Sequence, residues 1–485
     1  MGVIPRPALF FFREWARPRR NAIQESRADI RKRLLLILAR NDRAFWGKVT
    51  RGKTGFARLS LPTVAGLTPP DWEVTIHDSR ASPVDSSQDV DLVGITAFTA
   101  EIPSAYEIAD AFRRRGVSVI LGGIHVSALP DEGLQHADAV VIGEAENVWA
   151  QALEDFAQGR LQRTYRSPGF CDLQHMVWPR RDLLDRRMYQ NGFRTIEATR
   201  GCPFDCDYCA VTGVFGRRYR TRPVADVIAE INAFDRGDIF FVDDNICGRP
   251  AYAKELFRAL IPLKRAWGGQ TSITFARDAE LLDLYARSGG RYAFIGFESL
   301  SEGNLRNINK QWNHPDAYGE AIRRIHDAGI NILGSFIFGL DGDDPSVFDR
   351  TFEFVMKHRI DAVQYHILTP FPGTRLYDAM EAQGRIIERD WSRYHTSEVV
   401  FRPRQMTPRQ LQDGYFRVFR RTYSVSNIAR RVFARRRGML NRLVMNISYR
   451  KKAMRMPRPS QSPSPAVLGV SVLDESPRAA PPQGA

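Results

Sequence analysis

Arg200-Gly201-Cys202-Pro203-Phe204-Asp205-Cys206-Asp207-Tyr208-Cys209 is the stretch that decides how this chain is read. Its three cysteines stand at C-x3-C-x2-C spacing, directly after a strand-like run, Arg194-Thr-Ile-Glu-Ala-Thr199. Three thiolates on one tight loop suit a [4Fe–4S] cluster, whose irons ordinarily take four cysteines. With only three on the loop, one iron keeps an open coordination position. A structural zinc site is the competing reading, but such zinc is four-coordinate with ligands usually supplied as two pairs. The remaining cysteines, Cys171 and Cys247, have no Cys or His partner at finger-like spacing. Five sparse cysteines also argue against a disulfide framework. The cluster reading is the stronger.

A chain of 485 residues has room for two or three domains, each with its own core. Its 43% hydrophobic and 26% charged residues are ordinary for a globular protein. No apolar run approaches the length of a membrane span; Leu34-Leu-Leu-Ile-Leu-Ala39 is about the longest and reads as a buried strand. The basic N-terminal stretch contains Ala8-Leu-Phe-Phe-Phe12, too short an apolar piece for a signal peptide. The expectation is a cytoplasmic protein with reduced thiols.

The net charge of +15 is concentrated: Arg417 to Met456 carries 13 Lys or Arg and no acidic residue. Ile428, Val432, Leu440, Leu443, Val444 and Ile447 recur there at helical spacing, among Arg430, Arg431, Arg435, Arg436, Arg437 and Arg442. A basic amphipathic helix reads as an element for a membrane surface or an acidic partner. A helix packed on the body with its arginines in water has the same pattern, and a nucleic-acid patch is the least favoured of the three.

Residues 30 to 160 alternate strand and helix patterns. Strands are expected at Arg33–Ala39, Val74–His77, Asp91–Thr96, Val117–Leu121 and Ala139–Ile142, with helices over about Ser104–Arg115 and from near Glu146. Strands apolar on both faces, alternating with helices, imply a parallel sheet. Ligands of such sheets bind beyond the carboxyl ends of the strands. The turns there hold Thr96, the pair Gly122-Gly123 with His125, and Gly143-Glu144. Paired glycines let a backbone approach a bulky ligand; ordinary βα turns look the same.

Beyond the cysteines, strand candidates recur at Ile239–Val242, Thr271–Phe275, Tyr292–Phe297, Asn331–Phe338 and Asp361–His366, six with the run before Cys202. Barrel sites gather at strand carboxyl ends, where Asp243-Asp244-Asn245, Arg277, Glu298-Ser299, Gly339 and Thr369–Thr374 stand. Turn capping accounts for such residues equally well.

The cysteine spacing, Tyr208 before the last cysteine and the six βα units resemble the radical SAM enzymes. With Gly122–Glu132 and Ala137–Glu146 ahead of them, residues 30 to 455 resemble the B12-binding branch of that superfamily. The resemblance implies an α/β chain. A Rossmann-like cobalamin-binding domain (31–160) and a linker (161–193) lead into a partial (β/α)6 radical SAM core (194–400). A helical basic region (401–456) follows, with an N-terminal extension (1–30) and a disordered tail (457–485) outside. It also implies that Cys202, Cys206 and Cys209 ligate the cluster, with Tyr208 alongside and S-adenosylmethionine (SAM) chelating the fourth iron. Asp243, Asp244 and Asn245 stand where relatives hold the SAM amino group, Glu298 and Ser299 at a ribose position, and Arg277 opposite the SAM carboxylate. Thr96, Gly122, Gly123, His125, Gly143 and Glu144 would border cobalamin. One departure matters. The D-x-H-x-x-G motif that places a His on cobalt reads Asp42-Arg-Ala44-Phe-Trp46-Gly47 here, so Ala44 supplies no imidazole and His125 is the nearest alternative donor.

The function so implied is cobalamin-dependent C-methylation of an unactivated carbon, using radical chemistry because such a carbon has neither an acidic proton nor a leaving group. The basic C-terminal region makes an apolar lipid such as a hopanoid attractive, with peripheral contact at the inner membrane face. Partners would be a small-molecule or lipid substrate and a reductant such as flavodoxin or ferredoxin. Radical oxidative cyclisation or rearrangement is the runner-up. A non-catalytic iron–sulfur protein is the alternative from another class and would need a fourth protein ligand. Methylthiolation enzymes carry a second cysteine set in their N-terminal domain, whereas no cysteine precedes Cys171 here.

Overall fold

The computed structural model describes residues 31–41, 56–189, 194–235, 237–435 and 438–457. The N-terminal extension, the Ala44 loop and the tail after residue 457 lie outside the described residues. The first unit runs β1 (Lys32–Leu38), α1 (Ser60–Leu67), β2 (Trp72–Asp78), β3 (Leu92–Thr96), α2 (Ile102–Arg113), β4 (Ser118–Gly122), α3 (Ile124–Ala128), α4 (Pro130–His136), β5 (Ala139–Ile142), α5 (Trp149–Ala157) and β6 (Thr164–Arg166). Its strands form one sheet in the order β2-β1-β3-β4-β5-β6, all parallel. The residues of β1 explain the layering. Leu34, Leu36 and Leu38 pack with Leu61 of α1 and Trp149 of α5, while Leu35 and Ile37 pack with Ile102, Ala109 and Phe112 of α2. Both faces are therefore covered, as an all-parallel sheet requires. The sequence pattern ended the sheet at Ala139–Ile142; the structure adds β6, whose Thr-Tyr-Arg run buries only Tyr165 and carries no apolar signal.

The second unit runs β7 (Arg194–Ile196), β8 (Thr199–Arg200), α6 (Ala210–Phe215), β9 (Arg220–Thr221), α7 (Val224–Asn232), β10 (Ile239–Phe241), α8 (Pro250–Leu260), β11 (Trp267–Thr271), α9 (Ala279–Arg287), β12 (Gly290–Glu298), α10 (Glu302–Asn307), α11 (Pro315–Asp327), β13 (Asn331–Phe338), α12 (Val347–Lys357), β14 (Ala362–Ile367) and α13 (Arg375–Ala382). Six parallel strands pair in chain order from β7 to β14, the arrangement of an open (β/α)6 barrel. β8 and β9 form a short antiparallel ribbon, and the cysteine loop runs between them. Two strand expectations need correction. The run Arg194–Thr199 breaks, its first three residues joining the barrel and Thr199 joining the ribbon. The third strand lies at Trp267–Thr271, not Thr271–Phe275; Ser272 instead caps a 3-10 turn over Ile273–Arg277, accepting from Thr274 N.

α14 (Pro408–Thr422), α15 (Val425–Val432) and α16 (Met439–Arg455) close the described chain. In α16, and at Arg431 of α15, the polarity reverses the expectation of arginines in water, while α14 and the rest of α15 bury apolar residues such as Leu411, Phe419, Ile428 and Val432. Arg431, Arg442 and Asn446 are buried, whereas Leu440, Val444 and Ile447 are exposed. The inward residues serve strand ends. Arg431 donates to Ile360 O at 3.2 Å and Asn446 Oδ1 at 3.0 Å, while Asn446 donates to Asp361 O at 2.8 Å. Burial works against ionised Asp361, but His326 at 3.0 Å and the Arg435 charge outweigh it and hold the carboxyl below its ordinary range. Among the described residues no helix is long and apolar enough to cross a membrane.

Candidate active site

The cysteine loop is held from several sides. Gly201, with φ of 85°, opens it, and a Cβ there would meet Arg218 O at 2.3 Å, so only glycine fits. Arg375 grips the loop from β14's side, donating to Asp207 at 2.6 and 2.8 Å and to Asp205 at 2.9 Å. Asn309 donates to Asp205 O at 2.6 Å, and Phe204 stacks on Trp312 with ring centroids 4.1 Å apart. Such charge-assisted, bidentate contacts fix a loop more firmly than neutral ones.

Cys202, Cys206 and Cys209 are free thiols. Burial pushes Cys206 up to about 12 and Cys209 up to about 11, so a cluster must displace protons as it assembles. Among the described residues no three His, Cys, Asp or Glu side chains converge to hold one metal ion. A cubane asks for a different arrangement, three thiolates each reaching its own iron, and here the Cys202 and Cys209 thiols both lie near enough to act on Cys206.

The strand-end triplet divides. Asp243 is spent inside the fold: Thr199 donates to it from N at 2.5 Å and from Oγ1 at 2.6 Å, and burial pushes it up to about 7. It anchors the chain entering the loop. Asp244 accepts from Gly201 N at 3.2 Å and lies close enough to Cys202 and Cys209 to act on both thiols. Asn245 accepts from Ser272 N at 3.3 Å and lies close enough to Cys202 to act on its thiol.

Across the barrel, Glu298 ends β12 with φ of 63°, a costly backbone for a residue other than glycine and of the kind found at functional sites. Tyr208 Oη donates to Glu298 Oε1 at 3.1 Å and Lys310 Nζ to the same oxygen at 2.7 Å. Burial opposes the Lys310 charge, but Glu298, Cys206 and Cys209 outweigh it and the amine is raised. Lys310 is the main residue that sequence reasoning missed, though Asn309-Lys310 so soon after Glu298-Ser299 was a signal. Ser299 is buried and accepts from Ser301 N at 3.1 Å. Arg277 stands at the rim, 3.5 Å from Trp312 O.

The carboxyl ends of the first sheet meet this site. α3 packs on α6, and a Cβ on Gly373 would meet Ala128 Cβ at 2.9 Å. Glu144 joins the two units, bonding Arg220 at 2.6 Å, Arg200 at 3.2 Å and Cys171 N at 2.5 Å. Burial would raise its carboxyl; the two guanidiniums and the amide hold it low. Glu144 thus ties the two units together. Gly123 also answers to the chain itself, since a Cβ there would meet Thr96 Oγ1 at 2.7 Å and Ala97 O at 3.0 Å. Gly143 has φ of 84°, and Gly122 leaves room for a Cβ. His125 Nε2 lies 3.3 Å from Glu132, which also binds Trp391 Nε1 at 3.1 Å, while His125 Nδ1 is buried without a partner. That orphaned nitrogen and half-exposed Phe98 at the end of β3 fit a large cofactor with amide arms and an apolar ring.

Comparison with known proteins agrees. The Radical SAM superfamily model matches residues 196–355, the B12 binding domain 59–153, and a domain of unknown function, DUF4070, 374–456. The chain is 32% identical over 77% of its length to bacteriochlorophyllide d C-12(1)-methyltransferase of Chlorobaculum tepidum, covering 84% of that protein. It is 30% identical over 81% of its length to the C-8(2)-methyltransferase of the same organism, covering 91%. Hopanoid C-2 methylase of Rhodopseudomonas palustris is 25% identical over 68% of this chain and 65% of its own. The fold matches that of the radical SAM methyltransferase TsrM from Kitasatospora setae, solved with cobalamin and a [4Fe–4S] cluster, at TM-score 0.60 and 18% identity over 73% of this chain and 78% of that one. Fold and site together define an enzyme that couples a cobalamin domain to a cysteine-loop barrel. The chain belongs to the B12-binding-domain radical SAM family. Its cofactors are a [4Fe–4S] cluster, SAM and cobalamin.

Proposed function

We propose that this enzyme methylates a carbon of a large, rigid, mostly apolar ring system of the tetrapyrrole or hopanoid kind. The observation that carries the proposal is the match to the two bacteriochlorophyllide methyltransferases, over 77% and 81% of this chain. The tetrapyrrole is favoured over the hopanoid suggested by the basic C-terminal region, because those relatives are the more similar. When bound, the cluster delivers an electron to SAM and cobalamin carries the methyl group. The chain's own residues position and shield. Cys202, Cys206 and Cys209 would ligate three irons; Asp244, beside Cys202 and Cys209, would take the SAM ammonium; Tyr208, Glu298 and Lys310 would line the opposite wall. Ser299 and Arg277 stand at the same end of the barrel and would meet the ribose and the carboxylate. Phe204 stacked on Trp312 would cover one side of the loop. Flavodoxin or ferredoxin would supply electrons, and the enzyme would work at the inner membrane face.

The test is anaerobic turnover with methyl-deuterated SAM, a chemical reductant, and either a bacteriochlorophyllide or a hopanoid. Label in a carbon of one substrate, with 5′-deoxyadenosine and S-adenosylhomocysteine released together, is the expected result. Label in neither, with a dehydrogenated or cyclised product instead, would replace methylation by the oxidative runner-up.

A further inference from the structure

α16 has two faces that are the inverse of a surface helix. Arg442, Asn446, Tyr449 and Ala453 turn inward, and Tyr449 accepts from Gln364 Nε2 of β14 at 2.5 Å. The opposite side carries Leu440, Val444, Ile447 and Met454, with Leu440 69% and Val444 58% exposed. Spacings of four, three and seven residues put all four on one stripe, with Lys451 between the last two. Val425 at the start of α15 and Phe433 just past its end are also exposed, at 65% and 64%, and α15 packs on α16. Scattered apolar side chains on a surface need no explanation; a contiguous ridge does. Polar and charged residues have been buried here and apolar ones left outside, so the outward face is expected to have a partner.

The charge around the ridge decides which partner. Arg430, Lys451 and Arg455 are exposed along the same helices, and no acidic residue occurs from Arg417 to Met456. A second copy seated on the ridge would bring this basic segment against its twin with no carboxylate to pair it. An anionic bilayer satisfies both features, taking the apolar ridge into its interface and its phosphates beside the cations.

We propose that the outer face of α16, extended by Val425 and Phe433, is a docking surface for an anionic lipid bilayer, with α16 lying in the interface plane and its inner face on the barrel. This deepens the apolar-substrate reading above, since α16 stands between lipid and β14. Vesicle binding needs no substrate, so the two succeed or fail separately: an enzyme that docks yet methylates a water-soluble compound keeps this surface and loses that reading.

The test is sedimentation of the cluster-loaded full chain with vesicles of phosphatidylglycerol or of phosphatidylcholine alone, at physiological salt. The wild type is expected to pellet with phosphatidylglycerol and to stay largely soluble with phosphatidylcholine. L440Q/V444Q/I447Q should weaken binding at least about tenfold, each side chain losing its apolar contact with lipid. K451E/R455E should weaken it most at low salt, because screening removes that attraction. Both variants change only exposed positions, so iron content and the far-ultraviolet spectrum should match the wild type. Equal pelleting of the triple variant, or a wild type that stays soluble with both lipids, would overturn the proposal. So would a wild-type dimer that the triple variant renders monomeric, or vesicle binding that appears only after residues 458–485 are removed; these would put a second copy or the chain's own tail on the ridge.

Discussion

Replacing Cys206 with alanine is expected to leave a folded chain that holds less than about one iron and forms no 5′-deoxyadenosine above background. Cys206 lies on a loop whose conformation comes from other residues: Arg375 on Asp205 and Asp207, Asn309 on Asp205 O, and Gly201 at its start. Losing the thiol removes none of those contacts, so stability should fall by about 1 kcal/mol at most. Two thiolates cannot hold a cluster that already lacks a fourth protein ligand. Iron analysis, the visible absorption of the reconstituted protein and SAM cleavage check this together. A variant that keeps full iron and cleaves SAM would mean that another residue ligates the cluster.

The second large effect belongs to Glu298. Glu298→Ala removes the partner 2.7 Å from Lys310 Nζ and leaves a buried ammonium with Tyr208 Oη at 3.4 Å and the Cys206 and Cys209 thiols as its polar neighbours. Both side chains are about a tenth exposed, 11% for Lys310 and 8% for Glu298, so water compensates little. Breaking such a pair from one side costs about 3–5 kcal/mol, mostly for the stranded charge. The chemical-denaturation midpoint of the barrel should drop accordingly, and SAM binding with it. Glu298→Ala combined with Lys310→Met should recover much of the stability without recovering SAM cleavage. If the single variant is as stable as the wild type, the ion pair is not what holds this wall.

The cysteine motif was legible because its ligands are local, set by the spacing of ten residues. Most strands were legible for the same reason, as short apolar runs bounded by turns. β11 was not, because Trp267-Gly-Gly-Gln-Thr271 carries no such run. Its glycines are there for contact, with a Cβ at Gly268 meeting Tyr292 Cβ and one at Gly269 meeting Phe241 Cβ, each at 3.2 Å. The ion pairs of Glu144 gave no signal, because its partners, Arg200 and Arg220, lie 56 and 76 residues away. Arg375 gave no signal either, lying 168 residues from Asp207. Periodicity in α16 showed two faces but not which one turned inward. The carbonyl and the carboxylate of Asp361 gave the polar side its reason to be buried.

The central claim is that one chain holds a three-cysteine cluster and a corrinoid where its two units meet. Anaerobic reconstitution with iron, sulfide and hydroxocobalamin, followed by desalting and quantification of iron and corrinoid, tests it directly. About four irons and about one corrinoid retained per chain is the predicted result. A full cluster with no retained corrinoid would contradict it.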